Sequence, residues 1–477
     1  MKRATKLFGT DGIRDTANRG VLTPGSVVRI GQVIGRLLRE TPQGFTEPLA
    51  RRLAGLHHRA ALGKVAPRTV VVGRDPRESG PMIEAALVAG LLAENARVRL
   101  AGVCPTPVLA HLTRKWDAAC GLMISASHNP AEDNGIKVFS CEGLKTPEAV
   151  EEAIERLYAA GAHAGDAAPT GTRPLGRVED NHDRVSEYAE YILTQVALGL
   201  SLKGMRLVLD CANGATYQVA PRIFAQLGAQ VVAVHVAPDG RNINRHCGAL
   251  HADRLRRAVL QARADGAVCF DGDGDRVLLL DEKGHVLDGD YVLAVAGKWM
   301  KAHGALLHDT VVGTVMANQG LEVALREEGI RLLRTPVGDR HVAQRMLEGG
   351  FVLGGEQSGH VIFLADTTTG DGIVTALRFL RICRELDIPL SHAAKSLVKY
   401  PQVLINVRVR RKPPFDGIPA VAEAQRRARA ILGDQGRILL RYSGTESIAR
   451  VMAEGPRIGD VRRAVETLAG AVRNQLA

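Results

Sequence analysis

Three words of reactive side chains stand far apart in this chain. They are Ser-Ala-Ser-His-Asn-Pro at 125–130, Asp-Gly-Asp-Gly-Asp-Arg at 271–276 and Arg-Tyr-Ser-Gly-Thr-Glu at 441–446. Together they offer a serine nucleophile, a carboxylate cage for a metal and a cradle for phosphate, the parts of a phosphoryl-transfer site. In the first, an apolar run at 121–124 leads into Ser127, and loops at strand ends are where layered α/β proteins hold reactive groups. A serine hydroxyl can accept a phosphoryl group and return it, dividing one transfer into two steps. His128, and Lys137 in the nearby Asp-Asn-Gly-Ile-Lys word at 133–137, are possible proton carriers. Alone, this stretch would read as a turn stopped by proline.

The second word alternates three carboxylates with two glycines between apolar runs at 267–270 and 277–280. Glycine lets the backbone bend tightly enough for Asp271, Asp273 and Asp275 to converge on one hard cation. Without a cation, close carboxylates raise one another's pKa. A calcium loop is the main rival, since Glu282 falls twelfth counting from Asp271. That loop needs glycine sixth, where this chain has Arg276, and helical flanks, where these runs read as strands. Mg²⁺ in an active site is the better fit, with Arg276 steadying phosphate oxygens. The third word joins hydroxyls, glycine-flanked amides and a forked guanidinium, which suit a phosphate monoester. Arg450 follows closely. The polar segment Gly-Gly-Glu-Gln-Ser-Gly-His at 354–360 suits sugar hydroxyls, and Phe-Gly-Thr-Asp-Gly-Ile-Arg at 8–14 sets Arg14 at the end of a tight turn.

These words need a scaffold, and 477 residues supply about three domains with room for four small ones. With 45% hydrophobic residues the chain can bury several cores. Aromatics at 4% argue against stacking platforms for single-stranded nucleic acid. The net charge of +11 is spread without a long basic run, which favours small anionic substrates over nucleic acid. The seven cysteines form no CxxC pair and are odd in number, as expected of reduced, buried thiols in the cytoplasm. No apolar h-region follows the basic first residues, so no signal peptide is expected. No apolar run approaches the ~18 residues of a membrane span.

Strands then helices repeat along the chain, which predicts α/β layers with largely parallel sheets. Extended stretches are expected at 69–73, 97–100 and 121–124, with a helix at 84–93. A second series has strands at 206–209 and 230–236 around a helix at 217–227. A third has strands at 267–270, 311–315 and 330–334. The last unit is expected in β-α-β-α order, with strands at 403–409 and 437–441 and helices at 420–432 and 461–476. Small and polar residues at 161–176 mark one boundary. Residues 41–67, with a helix candidate at 47–62, look like an insertion: a surface decoration or an oligomer contact.

The words, in this order, resemble the α-D-phosphohexomutase superfamily, along with Pro-Asp-Gly-Arg-Asn-Ile-Asn at 238–244 and Thr-Thr-Thr-Gly-Asp-Gly-Ile at 367–373. The resemblance implies four domains, 1–176, 177–284, 285–398 and 399–477. Three would share a mixed α/β fold, and the fourth would be a TATA-binding-protein-like α+β fold, with the active site where all four meet. It implies Ser127 as the phosphoserine. Asp271, Asp273 and Asp275 would be Mg²⁺ ligands, joined by a phosphate oxygen on Ser127. Lys137 and His128 would be acid and base, with Arg14 and Arg276 steadying the transferring phosphate. Glu356 and Ser358 would read sugar hydroxyls. Arg441, Ser443, Gly444, Thr445 and Arg450 would form the distal phosphate cradle. Gln357 and Gly444 match the glucosamine branch, which implies interconversion of glucosamine 6-phosphate and glucosamine 1-phosphate through a bound sugar 1,6-bisphosphate. Amino-sugar nucleotide synthesis would take up the product. A glucose or mannose phosphate mutase is the alternative. A phosphosugar partner, a monomer or homodimer, and no nucleic acid or membrane partner are expected. The chain departs from the family at Asp15, at Ser447, at Gly-Ala-Leu-His in 248–251 and in the 41–67 stretch.

Overall fold

The computed structural model describes residues 6–9, 11–41, 43–46, 65–161, 174–443 and 447–477. Seven strands make the first sheet: β1 (Phe8–Gly9), β2 (Gly12–Thr16), β3 (Ala66–Arg74), β4 (Arg97–Val103), β5 (Ala118–Ile124), β6 (Asp133–Phe139) and β7 (Arg177–Asp180). Their order is β1-β2-β6-β5-β3-β4-β7. The second holds β8 (Arg206–Asp210), β9 (Gln230–Val234), β10 (Gly266–Phe270), β11 (Val277–Asp281) and β12 (Val286–Leu287), in the order β12-β11-β10-β8-β9. The third, β14-β13-β15-β16, contains β13 (Thr310–Thr314), β14 (Arg331–Thr335), β15 (Leu353–Gly355) and β16 (Val361–Phe363). The fourth, β17-β19-β18, contains β17 (Gln402–Arg408), β18 (Arg437–Tyr442) and β19 (Ile448–Glu454).

One device recurs in all four. A strand runs out, the chain turns, and an antiparallel partner returns beside it: β5 to β6, β10 to β11, β15 to β16 and β18 to β19. The first three turns carry the serine word, the aspartate word and the Glu356 segment, and the phosphate-cradle word falls between β18 and β19. In the first three sheets the outgoing strand also has a parallel neighbour, β3, β8 or β13. The sheets are therefore mixed and not largely parallel, because each functional turn needs a return strand. β5 and β10 are buried along their whole length, as strands covered on both faces should be.

The last unit also departs from expectation. Its order is β-α-β-β-α, with helices Pro419–Leu432 and Ile458–Leu476 packed on a sheet whose central strand, β19, sequence reasoning left out. The boundary expected at 176 is corrected as well, since β7 continues the first sheet in parallel with β4. The insertion helix at 47–62 lies outside the described residues. One apolar cluster runs through the first three units, while the last keeps its own core and meets the third through polar groups. Asn318 Nδ2 donates to Glu454 Oε2 at 3.4 Å, and Arg437 donates to Ala317 O at 3.1 Å. Polar inter-domain contacts of this kind permit relative motion.

A buried carboxylate ties the units together. Asp371 caps helix Gly372–Glu385 by accepting from Ile373 N and Val374 N at 2.9 and 3.0 Å, and Tyr188 donates to it at 2.6 Å. Burial pushes its pKa up to about 6, helped by Asp366 and opposed by those three donors. A raised carboxyl favours the fold most below its unfolded value, and that contribution is lost as pH climbs to the folded one. Asp371→Asn keeps a good cap and removes the ionisation. From pH 5 to pH 8 the variant should therefore gain about 1.4 kcal/mol on the native protein, one pKa unit's worth, in urea unfolding. A constant difference between the two proteins would refute this.

Candidate active site

Ser127 is fully buried, with φ +53, a left-handed backbone that costs a serine about 1–3 kcal/mol and persists only where surroundings impose it. The surroundings are explicit. Ser127 N donates to Ser125 Oγ at 2.9 Å, and Ser125 Oγ donates to Asp75 Oδ2 at 2.7 Å. Arg77, itself fully buried, pairs with Asp75 at 2.9 Å. It donates to Ser127 O, Asn129 O and Asp133 O, each at 2.9 Å, and also to Pro130 O. From the second unit, Asn244 Nδ2 donates to Ser127 O at 2.8 Å and Asn129 O at 3.1 Å.

This frame aims Ser127 Oγ at the aspartate turn, where it donates to Asp271 Oδ2 at 2.7 Å. Gly272 permits the approach, since a Cβ there would stand 2.5 Å from Ser127 O. Oxygens of Asp271, Asp273 and Asp275 lie within 4.8 Å of one another. Asp273 Oδ1 and Asp275 Oδ1 are buried without a hydrogen-bond partner. Three convergent oxygens with orphaned lone pairs fit a hard divalent cation. Burial, then Asp275 and Asp273, push Asp271 well above the usual carboxylate range.

Lys137 enters from β6. Its Nζ reaches Asp273 at 2.7 Å, Asp275 at 3.3 Å and Asp11 at 3.4 Å. Burial opposes its charge, but these carboxylates outweigh burial and hold the ammonium well above its ordinary pKa. Thr106 donates to Asp273 at 2.6 Å. His128 Nδ1 lies 3.4 Å from Ser127 Oγ and 3.0 Å from Arg276 Nη1. Burial, then Arg276 and Arg14, lower its pKa. Arg14 donates to Ala126 O at 2.6 Å and pairs with Asp11, which also pairs with Lys145. Lys145 in turn lies 2.5 Å from Asp339 in the third unit.

The structure thus gathers Ser127, His128, Lys137, Arg14, Asp271, Asp273, Asp275 and Arg276 around one point. Glu356 is buried on its own turn and accepts from Gly338 N at 3.1 Å, while Ser358 is exposed beside it. Arg441 and Arg450 form a separate group as register partners on β18 and β19. Burial and then Arg450 lower the Arg441 pKa. Like charges set opposite one another are unfavourable until an anion joins them. Ser443 is buried next to them; Gly444 and Thr445 lie outside the described residues. Sequence reasoning missed Asp75, Arg77, Thr106, Lys145 and Asp339, while Ser125 stood unassigned inside the serine word. Asp11 and Asn244 stood inside words already singled out.

Family models for phosphoglucomutase/phosphomannomutase match the chain in four consecutive pieces. Alpha/beta/alpha domains I, II and III match residues 40–164, 186–284 and 288–400, and the C-terminal domain matches 404–471. The phosphoglucosamine mutase of Chlamydia abortus is 44% identical over 478 residues, covering 100% of this chain and 98% of its own length. A phosphoglucomutase/phosphomannomutase family protein from Burkholderia thailandensis shares the fold, with a TM-score of 0.76, 22% identity, and coverage of 98% of this chain and 97% of its own. So does the Aspergillus fumigatus N-acetylphosphoglucosamine mutase solved with GlcNAc-6P and magnesium, with a TM-score of 0.66, 18% identity, and coverage of 99% and 96%.

Proposed function

The chain belongs to the phosphoglucomutase/phosphomannomutase family, and from that footing we propose that it interconverts glucosamine 6-phosphate and glucosamine 1-phosphate. Choice of substrate rests on full-length identity of 44% to a phosphoglucosamine mutase. The chemistry rests on one observation: a buried serine, held in a strained turn, with Oγ 2.7 Å from a carboxylate of the aspartate cage.

In the proposed cycle Ser127 carries a phosphoryl group. A free hydroxyl of the bound monophosphate attacks it; the phosphorus–Oγ bond breaks as a phosphorus–sugar oxygen bond forms. The hydroxyl proton passes to His128, whose lowered pKa favours the neutral ring, while Lys137, held as an ammonium, serves as the acid. The resulting 1,6-bisphosphate turns end for end, and its other phosphoryl group returns to Ser127, leaving the isomeric monophosphate. Arg14 and Arg276 steady the transferring group. Magnesium held by Asp271, Asp273, Asp275 and a phosphoserine oxygen would neutralise charge on that group. Glu356 and Ser358 read the sugar. Arg441, Ser443 and Arg450, with Gly444 and Thr445, grip the phosphate that is not reacting. The polar join of the last unit suits closure over the sugar, which shields the phosphoserine from water. The product then enters amino-sugar nucleotide synthesis.

Purified enzyme, primed with a sugar 1,6-bisphosphate and Mg²⁺, should favour glucosamine 6-phosphate over glucose and mannose 6-phosphates by about ten-fold or more in kcat/KM, roughly 1.4 kcal/mol. Preference for glucose or mannose phosphate would overturn the substrate assignment and leave family membership intact. Release of inorganic phosphate at turnover rates would instead mark a hydrolase.

The cradle makes a separate prediction. A phosphate held equally in both orientations contributes uniform binding, which moves KM and leaves kcat alone. Arg441→Met removes charge-assisted hydrogen bonds worth about 1.5–3 kcal/mol. KM should rise about 10- to 100-fold, with kcat within a few-fold. Steady-state kinetics decide it: a fall in kcat at unchanged KM would place Arg441 with the reacting groups instead.

A further inference from the structure

We propose that the second unit carries a metal site of its own, distinct from the aspartate cage, in which Asp210, His235 and Cys247 bind one zinc-class divalent ion. Topology brings the three together. Asp210 ends β8, His235 follows β9, and these strands run parallel with Asp210 in register with Val234. Cys247 returns on a later loop, fastened because Gly248 N donates to Asp210 Oδ2 at 2.8 Å. The donor atoms of all three residues lie within 4.8 Å of one another, and His235 Nδ1 is 3.0 Å from Asp210 Oδ1. Among the described residues this is the one grouping that unites thiol, imidazole and carboxylate donors.

The surroundings suit an ion. Asp210 is fully buried and Cys247 is 2% exposed, while the His235 side chain is 40% exposed. The cluster is therefore walled on two sides and open on the third, leaving a way in and a position for water as fourth ligand. His235 has φ +51, unusual for a residue with a side chain. Asn213 N holds it there by donating to His235 O at 2.7 Å.

Donor chemistry separates this cluster from the catalytic cage. Three carboxylates suit magnesium, whereas a thiolate, an imidazole and one carboxylate suit zinc. On binding, the Cys247 thiol proton leaves to solvent. Any proton on His235 Nδ1 is displaced, leaving the neutral ring protonated at Nε2, so affinity should rise with pH. Asn244, three positions before Cys247, supports the serine turn from behind. A metal at Cys247 would thus brace that segment without touching the reacting atoms.

The test is titration of metal-stripped, full-length protein with Co²⁺ as a zinc surrogate, with saturating Mg²⁺ occupying the aspartate cage. One equivalent should bind with a thiolate-to-cobalt charge-transfer absorption, and Zn²⁺ should displace it. Cys247→Ser should abolish the absorption, which cobalt on carboxylates alone cannot produce. His235→Gln, at an exposed position that leaves the fold intact, should weaken cobalt binding at least about ten-fold. No such band in the native protein with cobalt in large excess, a band that survives Cys247→Ser, or unchanged affinity in His235→Gln would each overturn the proposal.

Discussion

Replacing Ser127 by alanine is expected to lower mutase turnover by a factor on the order of 10⁴–10⁶, the scale seen when a nucleophile is deleted from a site that otherwise remains assembled. The reason is local. Ser125 cannot take Ser127's place: it also lies in the turn, but its Oγ donates to Asp75 and accepts from Ser127 N. Ser125 is committed to shaping the turn, whereas Ser127 points at Asp271. Ser125→Ala should therefore slow the enzyme yet still allow a phosphoryl adduct on the peptide containing residue 127, and Ser127→Ala should show none. Mass spectrometry of enzyme treated with sugar bisphosphate separates the two. Thermal unfolding of Ser127→Ala should stay near that of the native protein, since a small side chain is lost and the frame of Arg77 and Asn244 contacts remains. Turnover of Ser127→Ala within ten-fold of native would end the nucleophile assignment.

What the sequence disclosed follows from where the physics is local. Alternating carboxylates and glycines already define a cage, and a serine at the end of an apolar strand is already in a reactive position, so the aspartate turn and Ser127 were legible within a few residues of chain. Lys137 was legible too, but the pairing that brings it to Asp273 was not. β6 is buried at all but its first position, so it lacks the alternation that marks a half-exposed strand. β16 is short and fully buried, and escaped for the same reason. β19 was missed with Arg450 in its middle, a charge that reads as loop until a phosphate is imagined beside it. The mixed sheets follow from these omissions, because return strands are what turn parallel sheets into mixed ones. Arg77 is the clearest case of non-local physics. Nothing within Gly-Arg-Asp-Pro-Arg says that its guanidinium will be enclosed by carbonyls some fifty residues on.

That enclosure makes Arg77→Met the second large prediction. Removing one partner of a buried ion pair costs about 3–5 kcal/mol, because the other is left charged and unpaired. Here, among the described residues, Asp75 keeps only Ser125 Oγ as a side-chain donor, and the urea midpoint should fall accordingly. Turnover should fall too. With Asn244 the one side chain among the described residues left to hold Ser127 O and Asn129 O, the turn can shift, and a displacement near 1 Å costs about 10²-fold. The double variant Arg77→Met, Asp75→Asn tells the two effects apart. It removes the stranded charge, so much of the lost stability should return. It does not restore a donor to the Ser127 and Asn129 carbonyls, so turnover should stay low. If stability and turnover recovered together, Arg77 would be acting only as Asp75's counter-ion. If neither fell in the single variant, the strain at Ser127 would have to be held by Asn244 and Ser125 alone.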